Sequence, residues 1–194
     1  HAGGQSSGPV SFMRGADSVA GMIASGGSTR RAAKMVVLNA DHPDILTFIR
    51  AKAEEEKKVR VLIEGGYNMY DLNDPAWNSI QYQNANNSVR VTDEFMRSVE
   101  RGANWSTINR GDGSVAGSYP ARDIMRAIGM ATWECGDPGM QYDTTINNWH
   151  TCPNTDRINA SNPCSEYMHV DNSACNLASI NLLRYLRPDG TFDV

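Results

Sequence analysis

The sequence predicts an α/β architecture with a mainly parallel sheet or barrel. Short apolar runs of strand type alternate along the chain with stretches of helical period, and glycine- or proline-bearing turn signals separate them. Of 194 residues, 40% are apolar, 21% charged and 8% aromatic, which suffices for one sizeable core or two small ones without disulfide support. There is no sustained internal repeat.

The composition of the first nine residues, HAGGQSSGP, predicts a polar loop with many free backbone N–H groups. From Ser11 to Ser25 the residues Phe12, Met13, Ala16, Val19, Ala20 and Ile23 recur at helical spacing, and Gly26-Gly27 ends the segment. After SGGSTRRAAK, the run Met35-Val36-Val37-Leu38 predicts a buried strand. Asp41-His42-Pro43-Asp44 predicts a helix start, with a capping Asp and a proline in the first turn, and Ile45, Phe48, Ile49 and Ala53 facing inward. The charge run Glu54 to Lys58 reads as a solvated helix face. Tyr82 to Val91 ends in a strand, and Thr92 caps a helix carrying Phe95, Met96 and Val99. Ala103 to Ile108 is a short strand, Gly111-Asp112-Gly113 a tight turn, and Ser118 with Pro120 opens a helix carrying Ile124, Met125, Ile128 and Trp133. Residues 136–161 read as irregular apart from a strand over Met140 to Tyr142, and two strand-like pieces around a turn follow.

Several function classes are excluded. With a net charge of −4 and scattered Lys and Arg, no broad face attracts a phosphate backbone, so nucleic-acid binding is not expected. No apolar run approaches the roughly 20 residues of a membrane span, and the N-terminal stretch lacks a signal core. Cys135, Cys152, Cys164 and Cys175 all fall in the last third, too one-sided for a secreted disulfide framework, and a cytoplasmic location is expected. Cys135, His150, Cys152 and Cys164 lack a CxxC pair, which argues against zinc, and no metal is assigned. The chain opens on His1 and ends on Phe192-Asp193-Val194, so it reads as a piece of something longer.

Chemistry is concentrated in one place. Asn162, Cys164 and Glu166 alternate, so an extended segment would project all three from one face. A thiol between a carboxylate and an amide suits acid–base work at a hydroxyl-bearing substrate, with Cys164 reactive, Glu166 accepting a proton and Asn162 clamping. Cys175, eleven residues on, offers a second thiol that could supply reducing equivalents by becoming a disulfide. The residues alone leave open a blander reading, because free cysteines often act as small apolar fillers. Gly26, Gly27, Ser28, Thr29, Arg30 and Arg31 have the parts of an anion site, yet they precede a strand, so neither a P-loop nor a Rossmann fingerprint is matched.

The strings Ser161-Asn162-Pro163-Cys164-Ser165-Glu166 and Ala174-Cys175-Asn176-Leu177-Ala178-Ser179-Ile180-Asn181-Leu182 resemble the active-site segment of the ribonucleotide reductase large subunit. The likeness is closest to class II, the adenosylcobalamin-dependent enzymes, whose finger loop commonly reads Asn-Pro-Cys. SGPVSFMRGAD, SGGSTRRAAKM with DHPDI, QYQNANNSVRV with DEFM, DPGMQYDTTINNWHTCP and RINASNPCSEYMH resemble consecutive blocks of that family. The resemblance implies part of a ten-stranded α/β barrel, with residues 1–194 belonging to one catalytic domain. It implies effector loops near 1–9 and 25–34 and a finger loop near 158–170.

By the same resemblance, Cys164 matches the cysteine that becomes a thiyl radical and takes the ribose 3′ hydrogen. Glu166 matches the base at the 3′ hydroxyl, Asn162 the amide that positions the ribose, and Cys175 one member of the redox pair. Gly26 to Arg31 look like the loop that relays the allosteric nucleotide's identity, with Arg30 or Arg31 as nucleotide contacts. The implied cofactor is adenosylcobalamin, bound mainly outside this chain. The implied partners are a ribonucleotide, an effector nucleotide, a thioredoxin-like or other dithiol reductant, and a second copy in a homodimer.

The family's upstream redox cysteine, later barrel segments and C-terminal reducing cysteines have no match here, so an internal piece, inactive and poorly stable alone, is expected. Two alternatives stay open: a class I piece needing a separate radical-generating subunit, and a non-catalytic nucleotide-binding regulatory domain with structural cysteines.

Overall fold

The computed structural model describes residues 6–23, 33–71 and 74–193. The proposed effector residues Gly26, Gly27, Ser28, Thr29, Arg30 and Arg31 lie outside the described residues, as do residues 1–5 of the stretch expected to be a polar loop, whose last two residues, Gly8 and Pro9, are helical instead. Helix α1 (Gly8–Met22) starts three residues ahead of the predicted Ser11, with Pro9 in its first turn. Gly8 permits this start, because it adopts φ 77° and packs so closely on the Asp44 carboxylate that a Cβ would not fit. Of the apolar residues read at helical spacing here, Met13 is buried while Phe12, Val19 and Ile23 are exposed. α1 is anchored instead by buried Asp17, which accepts the N–H groups of Gln83 (3.1 Å) and Asn84 (3.0 Å) and pairs with Lys34 at 2.8 Å.

Strands β1 (Lys34–Asn39), β2 (Ala85–Val91) and β5 (Gly139–Tyr142) form a parallel sheet in the order β1-β2-β5. In register, Leu38 sits beside Val89 and Arg90 beside Gln141. Parallel strands need crossover connections, and here α2 (Ile45–Glu64), α3 (Asp93–Arg101) and α4 (Ala121–Cys135) supply them. Ile45, Phe48 and Ile49 of α2, Phe95 of α3 and Ile124 and Ile128 of α4 form one buried cluster with Val89 and Val91, which occupy alternate positions of β2. Full burial stabilises each such side chain by roughly 1.5–3 kcal/mol, so this helical face is the core. The predicted α/β class and parallel sheet are present, and the three-stranded sheet does not close on itself.

Local signals account for most boundaries. Thr92 caps α3 by accepting the Phe95 N–H at 3.3 Å, and Gly102, at φ 67°, ends it. The predicted cap of α2 is displaced: Asp44 holds the N-cap position without a side-chain cap bond, and Asp41 instead pairs with Arg110. The charge run is not wholly solvated. Glu55 is buried, accepting the Gln81 N–H at 3.0 Å while pairing with Lys58 at 2.5 Å. A helix preceding Ala121 is also corrected, because β3 (Asn104–Ile108) and β4 (Val115–Pro120) form an antiparallel hairpin first. The stretch read as irregular contains α5 (Asp143–Asn148). Among the described residues no helix is long and apolar enough to cross a membrane.

Candidate active site

Strand β2 has two unlike faces. The positions alternating with its core residues are Asn86, Ser88 and Arg90, and of these Ser88 and Arg90 are buried, Arg90 to 3% exposure. Polar residues on a sheet's second face need partners, and the segment from Ile158 to Pro163 supplies them. Arg90 Nη2 donates to the Ile158 carbonyl at 2.5 Å, Gln141 Nε2 to Ser161 Oγ at 2.7 Å, and Asn86 Nδ2 to the Pro163 carbonyl at 2.7 Å. Arg90 is held in turn by Asp143 Oδ1 (2.6 Å) and Gln141 Oε1 (2.9 Å), and Arg157 pairs with the other Asp143 oxygen. Asn147 adds two bonds to Ile158, donating to its carbonyl and accepting its N–H.

From this anchorage the chain makes a short excursion. Strands β6 (Ala160–Ser161) and β7 (Met168–His169) pair antiparallel and close it. Between them the Ser165 N–H bonds the Asn162 carbonyl at 3.1 Å, forming a turn across Pro163 and Cys164, and Ser165 takes φ 63°. The expected extended segment is therefore not there, and the alternation argument for one shared face does not hold. Pro163 cannot donate a ladder bond, and the left-handed residue reverses the chain.

The four candidates Asn162, Cys164, Glu166 and Cys175 each have a definite place. Asn162 is half-buried, with Oδ1 accepting the Tyr167 N–H at 3.0 Å. Cys164 and Glu166 are exposed on the turn. Cys175 is exposed too, and it lines a cavity of about 250 Å3 together with Asn162, Tyr167 and His169. The fold thus brings Asn162 and Cys175 to one cavity, with Cys164 and Glu166 on the adjoining turn and outside that lining. His169 stacks on Tyr167 with ring centroids 5.5 Å apart.

Two of the residues considered for zinc, His150 and Cys135, are engaged otherwise. His150 Nδ1 accepts the Cys152 N–H at 3.3 Å, which leaves Nε2 to donate to the Asp156 carbonyl at 2.9 Å. Cys135 bonds the Ala131 carbonyl at 3.3 Å, and burial pushes its thiol up. Among the described residues no group of three His, Cys, Asp or Glu side chains is placed to hold a metal.

Sequence reasoning gives no role to Arg90, Gln141 or Asn86, and Ser161 enters it only as part of a matching string. The available signal was an arginine inside a strand, in NNSVRV, at a position alternating with apolar residues. A charged side chain there is seldom buried unless something pairs with it.

The sequence model of the family described as ribonucleotide reductase, barrel domain, matches residues 1–194. The chain belongs to this family. Its open α/β sheet is accordingly part of that barrel domain. Over 188 residues, 97% of the chain, it is 58% identical to the vitamin B12-dependent ribonucleotide reductase of Streptomyces avermitilis. The protein of the same name from Rhodopirellula baltica is 54% identical over 193 residues, 98% of the chain. The vitamin B12-dependent ribonucleoside-diphosphate reductase of Mycobacterium tuberculosis H37Rv is 40% identical over 191 residues, again 98%. These matches cover 19%, 18% and 24% of the relatives, so the chain spans about a fifth of their length.

Proposed function

We propose that residues 1–194 form part of the catalytic barrel domain of a vitamin B12-dependent ribonucleotide reductase, with 158–170 as its finger loop and the loops near 1–9 and 25–34 facing an effector nucleotide. The observation that carries this reading is the loop itself: Asn162, Cys164 and Glu166 stand on a short turn bonded to the buried sheet face, and Cys175 shares a cavity with Asn162. The relatives' names support reduction of ribonucleotides, and one of them names ribonucleoside diphosphates.

In this proposal a Cys164 thiyl radical takes the hydrogen atom from C3′ while Glu166 accepts the proton of the 3′ hydroxyl. The 2′ hydroxyl, protonated by a thiol of the redox pair, leaves as water. Cys175 and its partner thiol, on a segment outside this chain, give two electrons to the sugar and their second hydrogen to C2′ as they close to a disulfide; Glu166 returns its proton to the 3′ oxygen, and Cys164 then returns its hydrogen atom to C3′. The disulfide is reopened by a thioredoxin-like or other dithiol reductant. Asn162 holds the ribose, and such steps require all groups to be oriented on one sugar with water excluded.

Adenosylcobalamin, when bound, supplies the one-electron oxidation of the thiol. In this proposal the chain offers the exposed Cys164 thiol to that group, which is bound mainly by segments outside this chain. Arg30 and Arg31, with Gly26, Gly27, Ser28 and Thr29, contact the effector nucleotide in this proposal. The enzyme works as a homodimer in the cytoplasm, where four free cysteines suit a reducing medium.

The test is nucleotide reduction by the full-length protein with a dithiol reductant, with and without adenosylcobalamin. Deoxynucleotide formed only with the cofactor, and abolished by Cys164→Ala and by Glu166→Gln while nucleotide still binds, is the expected result. Turnover that survives both substitutions would overturn the assignment.

A further inference from the structure

Cys164 needs its turn held to a fraction of an ångström if a radical is to meet one hydrogen on one carbon, and hydrogen bonds from the sheet offer a way of holding it. We infer that Ser161, Gln141 and Arg90 are positioning residues for this chemistry, a one-way relay of hydrogen bonds that sets the Asn162–Glu166 turn from the sheet. The inference rests on the reading under Proposed function and deepens it.

The relay has a fixed direction because its first member can only donate. Arg90, with its guanidinium held by Asp143 and the Ile158 carbonyl, directs Nη1 at Gln141 Oε1 at 2.9 Å. That fixes the Gln141 amide, whose NH2 end then faces Ser161 Oγ at 2.7 Å. With an acceptor position occupied, the Ser161 hydroxyl places its one hydrogen on the Asn162 carbonyl at 2.8 Å, the nearer oxygen, while Ser165 Oγ lies at 3.4 Å. The Asn162 carbonyl also receives the Ser165 N–H that closes the turn over Cys164. Both of its lone pairs are thereby engaged, one from the sheet and one from the turn.

Stability alone does not call for such a relay. Arg90 and Gln141 are 3% and 2% exposed, and a buried charge with its polar partners is often matched or bettered in stability by apolar residues of similar volume. What the polar residues add is direction. Gln141 and Arg90 lie side by side in the parallel register, so the sheet fixes their spacing before the loop is laid on them.

The experiment uses the full-length holoenzyme and the variants Ser161→Ala, Ser161→Thr and Gln141→Glu. Gln141→Glu keeps size and the contact to Arg90 but cannot donate to Ser161, so it reverses the relay without emptying the site. Steady-state kcat and KM for the ribonucleotide are measured, together with amide hydrogen exchange of the peptide spanning 160–168 in the nucleotide-free protein. Ser161→Ala and Gln141→Glu are expected to lower kcat about 10- to 100-fold with KM within about threefold, and to speed exchange of the loop amides about tenfold. Ser161→Thr, which keeps the hydroxyl, restores both. An active parent whose Ser161→Ala and Gln141→Glu variants keep kcat within about twofold, or lose it with loop exchange unchanged, overturns the relay alone. A folded, nucleotide-binding parent that makes no deoxynucleotide with adenosylcobalamin and reductant overturns the underlying reading and the relay with it.

Discussion

The stretch from Ile158 to His169 and the stretch from Asp171 to Asp193 are neighbours in sequence and opposites in structure. The first is tied to the sheet by Arg90, Gln141 and Asn86, and to α5 by Asn147. In the second every residue is exposed, including Leu177 at 75%, Ile180 at 70% and Leu183 at 78%. One proposed reactive cysteine, Cys164, thus takes its place from bonds within this chain, whereas Cys175 stands on a segment with little packed around it. Apolar content alone does not decide burial: Leu177 and Ile180 are as apolar as Ile124, which is fully buried between a helix and the sheet.

The sharpest way to break this contrast is to remove a large side chain from each region. Phe95→Ala, which empties a buried site packed edge-to-face on Trp105 at 5.3 Å, is expected to cost about 4 kcal/mol in urea unfolding of the chain. Leu183→Ala, by contrast, is expected to change stability by no more than about 0.5 kcal/mol. If the two losses were equal, the exposed segment would have to be packed in solution.

Next in size is the tie between sheet and loop. Arg90→Met leaves Gln141, Asp143 and the Ile158 carbonyl short of a donor, at an expected cost of about 3 kcal/mol by the same measurement. A neutral outcome would mean that methionine packs well enough to replace the ion pair.

The smallest effect is a pH response at the start of α2. Burial holds the His42 imidazole below its ordinary value, against an opposing pull from Asp44, and its Nδ1 accepts the Asp44 N–H at 3.0 Å. The unfolded ring takes up its proton near pH 6.5 and the folded ring only at lower pH. The unfolded state therefore binds more protons just below pH 6.5, and this contribution, present above that pH, is lost as pH falls through the folded value. The urea midpoint of the parent should drop more than that of His42→Gln between pH 7.5 and 5.5. Equal slopes would remove His42 from the account.

Elements whose instructions are local were legible. The run Met35 to Leu38, the Thr92 cap that opens α3, and the strand at Met140 each carry their signal within a few residues. Strand β4 was missed because VAGSYP has small and polar residues, and it pairs only by meeting β3 across the Asp112 turn. Glu55 shows the same limit, since a charge run does not say which member will meet the Gln81 N–H 26 residues away. At the site, the residue types on the turn could be read from the string Asn-Pro-Cys-Ser-Glu, but the turn's shape could not. That shape depends on Gln141 and Arg90, which are 20 and 71 residues from Ser161.

The left-handed backbone at Ser165 has a consequence for portability. An L residue other than glycine gives up roughly 1–2 kcal/mol in that conformation, and here the Ser165 N–H bonds the Asn162 carbonyl while the sheet bonds Ser161 and Pro163 on the same turn. Excised as a peptide, or transplanted onto another scaffold without its parallel strands, the string Asn162–Glu166 would relax to a different shape while keeping every letter. The proposed reactive motif is thus not expected to work as a grafted module, and the smallest unit that could carry its shape includes β2 and β5.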